Sequence, residues 1–244
     1  MSTAKFLPSF CVAIFVCLGS TARAQISVQE NWSGSTLDTN NWTATLPFAD
    51  SAYSVNNGSI TLSNRATLLS VDSFFSPIVI TGTISLSASD ISRIATRTSG
   101  EVQAGNIYKE LNGLWFTFTR GDAIAGGGFS IEYASNTGNQ LVAYTPYNVD
   151  PGLIYDFQIT DDGTNASMLI NGTELTQSAI DPLFSEGNQV AIYSRGTLFF
   201  AGPHSSTLGP IEITAVPEPS TAAMVGFSGF VLLLALLRKK LSAS

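Results

Sequence analysis

The acidic residues are the first place to look for chemistry. Glycoside hydrolysis uses two carboxyl groups flanking the scissile bond, one as acid and one as nucleophile or base. Alternate residues of a strand share a face, so two acids separated by a single residue would aim both carboxyls at one substrate. None of the 18 Asp and Glu residues has another acid at that spacing. A catalytic pair would therefore have to be assembled from different strands. His204 is the one histidine, so a Ser–His–Asp triad would have to use it. It sits in Gly202-Pro203-His204-Ser205-Ser206, a loop composition, and no Gly-x-Ser-x-Gly elbow occurs. The expectation is a solvated loop histidine. Cys11 and Cys17 both lie in the first apolar run, which leaves no thiol, disulfide or Cys-ligated zinc from Gln25 onward. Asp161 and Asp162 offer oxygens that calcium could use. With Gly163 behind them they read more simply as a turn. No catalytic residue, metal or cofactor is assigned.

Sugar binding asks for less. An aromatic ring supplies a flat apolar face, and Asn, Asp or Thr beside it can bond hydroxyls. Trp115 shares the strand period with Thr117 and Thr119, while Leu114, Phe116 and Phe118 take the alternate positions. If the Leu/Phe set faces a core, Trp115 lies on an otherwise polar sheet surface. Tyr144 and Tyr147 flank Pro146 in a loop. These three side chains are the candidate ligand contacts. The competing reading packs Trp115 under a loop and has the tyrosines staple their own turn. Trp32 and Trp42 read as core.

The elements that must position these residues are strands. Ile78, Ile80, Gly82, Ile84 and Leu86 alternate with Val79, Thr81, Thr83, Ser85 and Ser87, the period of a half-buried strand. Leu114/Phe116/Phe118, Phe129/Ile131/Tyr133, Tyr155/Phe157/Ile159, Ala166/Met168/Ile170 and Ile211/Ile213 repeat the pattern. Asp162-Gly163 and Asn171-Gly172 favour type I′ hairpins, because Asn, Asp and Gly tolerate positive φ. Residues 87–112, which hold Arg93, Arg97, Glu101, Lys109 and Glu110, read as a loop or short helix. Many short strands at this spacing predict an all-β fold, an antiparallel β-sandwich or jelly roll, over residues 25–215.

The two ends have a different character. Lys5, a nine-residue apolar run over residues 10–18 and Ala22-Arg23-Ala24 predict a signal peptide over residues 1–24, cut before Gln25, with Ala22 and Ala24 as the small residues read at cleavage. At the other end Val216-Pro217-Glu218-Pro219-Ser220 precedes 17 uncharged residues, 221–237, at the short limit for a spanning helix. Arg238-Lys239-Lys240 follows at once. A basic cluster after a spanning helix stays cytoplasmic, so residues 238–244 are expected inside and the domain outside. This tail resembles the PEP-CTERM sorting signal, with Pro217, Glu218, Pro219, Arg238, Lys239 and Lys240 at the positions that define it. The resemblance implies a Gram-negative bacterium that makes extracellular polysaccharide, and an exosortase that recognises and processes the tail.

Within the domain, three stretches resemble the concanavalin A-like lectin/glucanase superfamily. Residues 30–42, Glu-Asn-Trp-Ser-Gly-Ser-Thr-Leu-Asp-Thr-Asn-Asn-Trp, look like its opening strand. Residues 155–175 look like its paired strands around Asp-Asp-Gly and Asn-Gly, and residues 187–196 like the strand that follows. Hydrolases of that superfamily carry Glu-x-Asp-x-x-Glu on one strand, and this chain lacks it. From Gln25 to Val216 there are six basic residues against 17 acidic ones, a balance of −11. Clustered Lys and Arg, which a nucleic-acid partner needs, are absent. The expectation is an exported, membrane-tethered surface or extracellular-matrix protein. Its β-sandwich would be non-catalytic and glycan-binding. The alternative is a glycan-degrading enzyme with a non-standard carboxylate pair.

Overall fold

The computed structural model describes residues 26–87, 90–104, 106, 109–119, 127–181, 184, 186–196 and 204–215. The signal-peptide residues Ala22 and Ala24, and the tail with Pro217, Glu218, Pro219, Arg238, Lys239 and Lys240, lie outside them. Among the described residues no helix is long and apolar enough to cross a membrane.

Among the described residues fifteen strands form two antiparallel sheets. The first, sheet A, runs in the order β13 (Thr173–Ala179), β12 (Asn165–Ile170), β11 (Tyr155–Asp161), β6 (Ile78–Leu86), β15 (Ser205–Ala215), β4 (Ile60–Ser63) and β3 (Ala52–Val55). The free side of β15 is shared: its first half pairs with β4 and its second half with β1 (Ile26–Glu30). The second, sheet B, runs β10 (Gly138–Pro146), β9 (Gly128–Ser135), β8 (Gly113–Thr119), β7 (Asp90–Thr98), β14 (Gln189–Gly196), β5 (Thr67–Ser70) and β2 (Trp42–Thr45).

Strand alternation builds the core between the sheets. Sheet A contributes Ile60, Leu62, Ile78, Ile80, Ile84, Phe157, Ile159, Met168, Leu208 and Ile213, and sheet B contributes Leu68, Ile94, Leu114, Phe116, Phe118, Phe129, Ile131 and Ile192. Each apolar side chain fully buried there contributes about 1.5–3 kcal/mol relative to exposure. Gly82 interrupts the apolar face of β6 for a steric reason. A Cβ there would stand 2.9 Å from the Pro210 carbonyl oxygen and 3.0 Å from Phe157 Cζ.

Several sequence expectations change in detail. The stretch 31–41 is a loop joining β1 in sheet A to β2 in sheet B rather than a strand. Trp32 turns it with φ of 49° and ties it down by donating its indole N–H to the Gly209 carbonyl at 2.6 Å. Trp32 and Trp42 then stack in the core 6.0 Å apart, as expected. Asn171 and Gly172 both have positive φ, as a type I′ turn requires. In the Asp162-Gly163 turn only Gly163 does, so that turn is not type I′. Residues 90–98 form strand β7 where a loop or short helix was expected. The described residues between 99 and 112 form a connection.

Candidate functional site

Sheet B has a second, outward face, and the side chains with chemistry gather there. Register places Thr67, Tyr193, Arg93, Thr117, Ser130 and Tyr144 in one row across five strand junctions. The next row carries Leu69, Ala191, Ala95, Trp115, Glu132 and Leu141. Polar and aromatic residues occupy this face because the alternate positions of the same strands are spent on the core.

The connection between β7 and β8 does not leave the sheet. Its described residues, 101–104, 106 and 109–112, are held together by the Val102–Leu111 bridge and by Gln103 N–H donating to the Glu110 carbonyl at 2.8 Å. This strap lies on the outward face. Gln103 Nε2 donates to Asn139 Oδ1 on β10 at 2.9 Å, and Ala104 N–H donates to Asn136 Oδ1 in the β9–β10 turn at 2.8 Å. Beneath it Trp115 is fully buried and donates its indole N–H to the Leu111 carbonyl at 2.9 Å. The Tyr193 ring meets it edge-on at 5.9 Å, and the Arg93 guanidinium sits 5.7 Å from its centroid. The placement of Trp115 on an open surface is therefore corrected. Alternation chose the right face, but the strap covers it, and the indole has no free side for a sugar.

Charge is concentrated at the same place. Arg93 bonds Glu110 at 2.7 Å and Glu132 at 3.3 Å, and Arg195 reaches Glu110 at 3.2 Å. Arg93 and Glu110 are about as buried as core residues, at 4% and 3% exposure. Burial alone would push the Glu110 carboxyl up. The guanidinium of Arg93, then that of Arg195, and the Asn106 amide outweigh it and hold Glu110 below the ordinary carboxylate range. Two carboxylates from different elements do meet on one face, yet both are bound to Arg93. A general acid needs a raised pKa, and Glu110 is moved the other way. Burial pushes the Tyr193 phenol far up, so it stays neutral.

The remaining candidates fall as follows. Tyr144 projects from the outward face at 46% exposure and donates its hydroxyl to the Gly127 carbonyl at 3.3 Å. Tyr147 is 37% exposed, with one side of its ring against Phe129 at 5.1 Å. His204 is buried at the entry to β15, where its carbonyl accepts the Asn64 N–H at 3.1 Å, so it is not a solvated loop residue. Asp161 is fully buried and taken by Arg97 through two bonds of 2.6 and 2.7 Å, with Thr96 and Ser76 hydroxyls adding two more. Asp162 caps its own turn. It accepts the Asn165 and Thr164 N–H groups and the Thr164 hydroxyl, which pulls its pKa down to about 2. No group of three metal-ligating side chains occurs among the described residues.

Sequence reasoning missed Arg93, Glu110, Glu132 and Arg195 as a cluster. The available signal was local: in a chain that is 12% charged, residues 87–112 carry an unusual density of charge.

No family model and no curated protein matches the chain. Solved structures do. A protein of unknown function with a galectin-like fold from Bacillus subtilis aligns at a TM-score of 0.58 and 13% identity, over 81% of this chain and 99% of that one. A β-1,3-1,4-glucanase (lichenase) from a mouse hindgut metagenome aligns at 0.57 and 9% identity, over 78% and 99%. The carbohydrate binding module CBM66 from Bacillus subtilis aligns at 0.51 and 11%, over 70% and 92%. At these identities the likeness establishes the fold, a galectin- and concanavalin-like sandwich of the glucanase type.

Proposed function

We propose that this is an exported surface or extracellular-matrix protein, tethered through its C-terminal segment and sorted by an exosortase, whose β-sandwich binds glycan without cleaving it. The observation that carries the tethering is the order of Pro217-Glu218-Pro219, 17 uncharged residues and Arg238-Lys239-Lys240 at the C-terminal end of the sequence. The binding reading draws on the fold shared with glucanases and a carbohydrate binding module. It also draws on Tyr144, an exposed ring in line with Ser130 and Thr117 on the outward face of sheet B. Tyr147 is not part of that surface: its ring packs against Phe129 and Tyr155 of the core. The non-catalytic reading is supported by Glu110 and Glu132, whose carboxylates are both held by Arg93.

A glycan array probed with the purified protein tests the binding, with Tyr144→Ala as control. Binding that Tyr144→Ala weakens about tenfold, equivalent to roughly 1.4 kcal/mol, supports the reading. Release of reducing sugar that is lost on changing a single Asp or Glu would instead establish the enzyme alternative.

A further inference from the structure

Sheet B ends on one side at β10, which pairs with β9 and has no strand beyond it among the described residues. At nine residues it is longer than the other edge strands: β13 has seven, β1 five, and β2 and β3 four each. A bare edge offers unpaired N–H and C=O groups to any other strand, and folded proteins ordinarily guard it with charge or keep it very short. β10 is long and carries no charged residue. The neighbouring edge, β13, is guarded twice. It holds Glu174, and its Leu175 and Ala179 carbonyls accept the hydroxyls of Thr145 and Tyr133 from sheet B.

A bulge decides what this edge presents. The pairing with β9 shifts between Leu141 and Ala143, so Leu141 lies opposite Glu132 and Tyr144 opposite Ser130. Leu141 and Tyr144 therefore share the outward face although they are three residues apart. They are 59% and 46% exposed, while Val142 and Ala143 pack toward the core. An antiparallel copy of the same strand can be slid along this pattern. Over the whole strand one register sets every residue opposite another of its own face. Leu141 then meets the partner's Tyr144, Val142 meets the partner's Ala143, and Gln140 meets the partner's Thr145. Charge points to the same occupant. Six bases against 17 acids make two copies of the domain repel each other, and they approach at least cost along a strand that carries no charge.

We propose that β10 pairs antiparallel with β10 of a second copy, joining two sheet B faces into one glycan-binding surface. The two-fold axis of an antiparallel pairing at a sheet edge stands perpendicular to the sheet, so both outward faces end on the same side. The exposed Leu141 gains an aromatic cross-strand partner in each copy. The partner contributes a second Tyr144, and the line of Tyr144, Ser130 and Thr117 continues across the axis. The pairing stands on the edge itself. Its use rests on the glycan-binding reading and adds the kind of ligand: a polymer long enough to cross the axis, held at two places at once.

The test uses the full-length protein in detergent micelles, with its mass read by sedimentation over a range of concentrations. A dimer is expected, and Leu141→Glu is expected to weaken it about tenfold or more. Leu153→Glu, at a residue 53% exposed but outside every strand, is expected to leave it unchanged. Register is read by disulfide formation after Cys11→Ser and Cys17→Ser. Proteins carrying Leu141→Cys and Tyr144→Cys are expected to link faster when mixed than either does alone. Directly opposed residues lie about 4.5–5.5 Å apart, whereas identical positions sit on a diagonal of about 7–8 Å, past disulfide reach. On an immobilised β-glucan polymer the parent is expected to dissociate more slowly than Leu141→Glu, with a free β-glucan trimer bound equally by both. A monomer at every concentration overturns the proposal, as does a dimer that Leu141→Glu leaves intact or linking that is fastest between identical variants. Equal retention on the polymer, with the trimer bound, overturns the joined surface. A dimer lost in Leu141→Glu, with neither probe bound by either protein, supports the pairing and sinks the glycan reading.

Discussion

Trp115 shows how one side chain can be large, central and closed to solvent on the face that is not the core. Its indole is covered by the strap, bonded through Nε1 to Leu111 and packed on Tyr193. Trp115→Ala should cost about 3–5 kcal/mol, the range for emptying a buried aromatic site, read as a shift in the denaturant midpoint with the slope unchanged. A change below about 0.5 kcal/mol, the size found at open surface positions, would contradict the burial. Acid behaviour follows from Asp162 and Glu110. Both have folded-state pKa values below their ordinary 3.8 and 4.5. Such groups contribute stability that is present above the unfolded pKa and lost as pH falls through the folded one. The melting temperature should therefore decline as pH drops below about 4.5 and continue toward about 2, where Asp162 protonates. Asp162 is nearly fully exposed, so its share is small and solvent-screened. Asp162→Ala should flatten only the lowest part of that limb, between about 3.8 and 2. An acid limb identical to the parent's over that range would refute the assignment.

Among the elements, the junction between β7 and β11 fixes how the two sheets meet. Arg97 has φ of 56° at a bulge in β7, opposite the register shift in β14. From there it grips Asp161 at the end of β11 and donates to the Phe184 carbonyl at 3.2 Å. Arg97→Met leaves the Asp161 carboxylate buried without its cation, and breaking a buried pair this way costs about 3–5 kcal/mol. Replacing both, as Arg97→Met with Asp161→Leu, should recover part of that loss. Ser76, Thr96 and the Gly163 N–H still lose an acceptor, so recovery stays incomplete. A double-mutant cycle with no coupling would contradict the tie. The strands themselves were legible in the sequence. Ile78 to Leu86 and Leu114 to Phe118 alternate because each strand buries one face against a shared core. The tie was not legible, because Arg97 and Asp161 are 64 residues apart and each alone looks like an ordinary strand or turn residue. The strap was hidden for a related reason. Alternation tells which side chains share a face, and gives no account of what a connecting segment does with that face. Hence alternation put Trp115 on the right side of β8, and of its two readings the one that packs it under a connecting segment is the one the structure bears out.

For the whole molecule, the decisive asymmetry lies between the acidic domain and its basic end. Six bases and 17 acids between Gln25 and Val216 make the folded part strongly anionic, and Arg238-Lys239-Lys240 close the apolar segment 221–237. Lys and Arg beside a spanning segment are retained on the cytoplasmic side, while acidic residues contribute little to orientation. A span of 17 residues reaches only about 26 Å at 1.5 Å per residue, just short of the roughly 30 Å hydrocarbon thickness. In the proposed tether the flanking charges would sit close to the membrane boundary, where snorkelling lets Arg and Lys reach water. The proposed arrangement has the sandwich outside and the C-terminus inside. A reporter active only in the cytoplasm should work when fused after Ser244 and fail when fused at Val216. A reporter active only outside should give the opposite pair of results. Replacing Arg238, Lys239 and Lys240 together by Gln should let a fraction of chains lose the inside tail. That loss would appear as accessibility of a C-terminal tag to protease added to intact cells. A tag protected to the same degree in parent and variant would mean that the basic cluster does not set the orientation. A tag fully accessible in the parent would mean that the tail does not stop in the membrane.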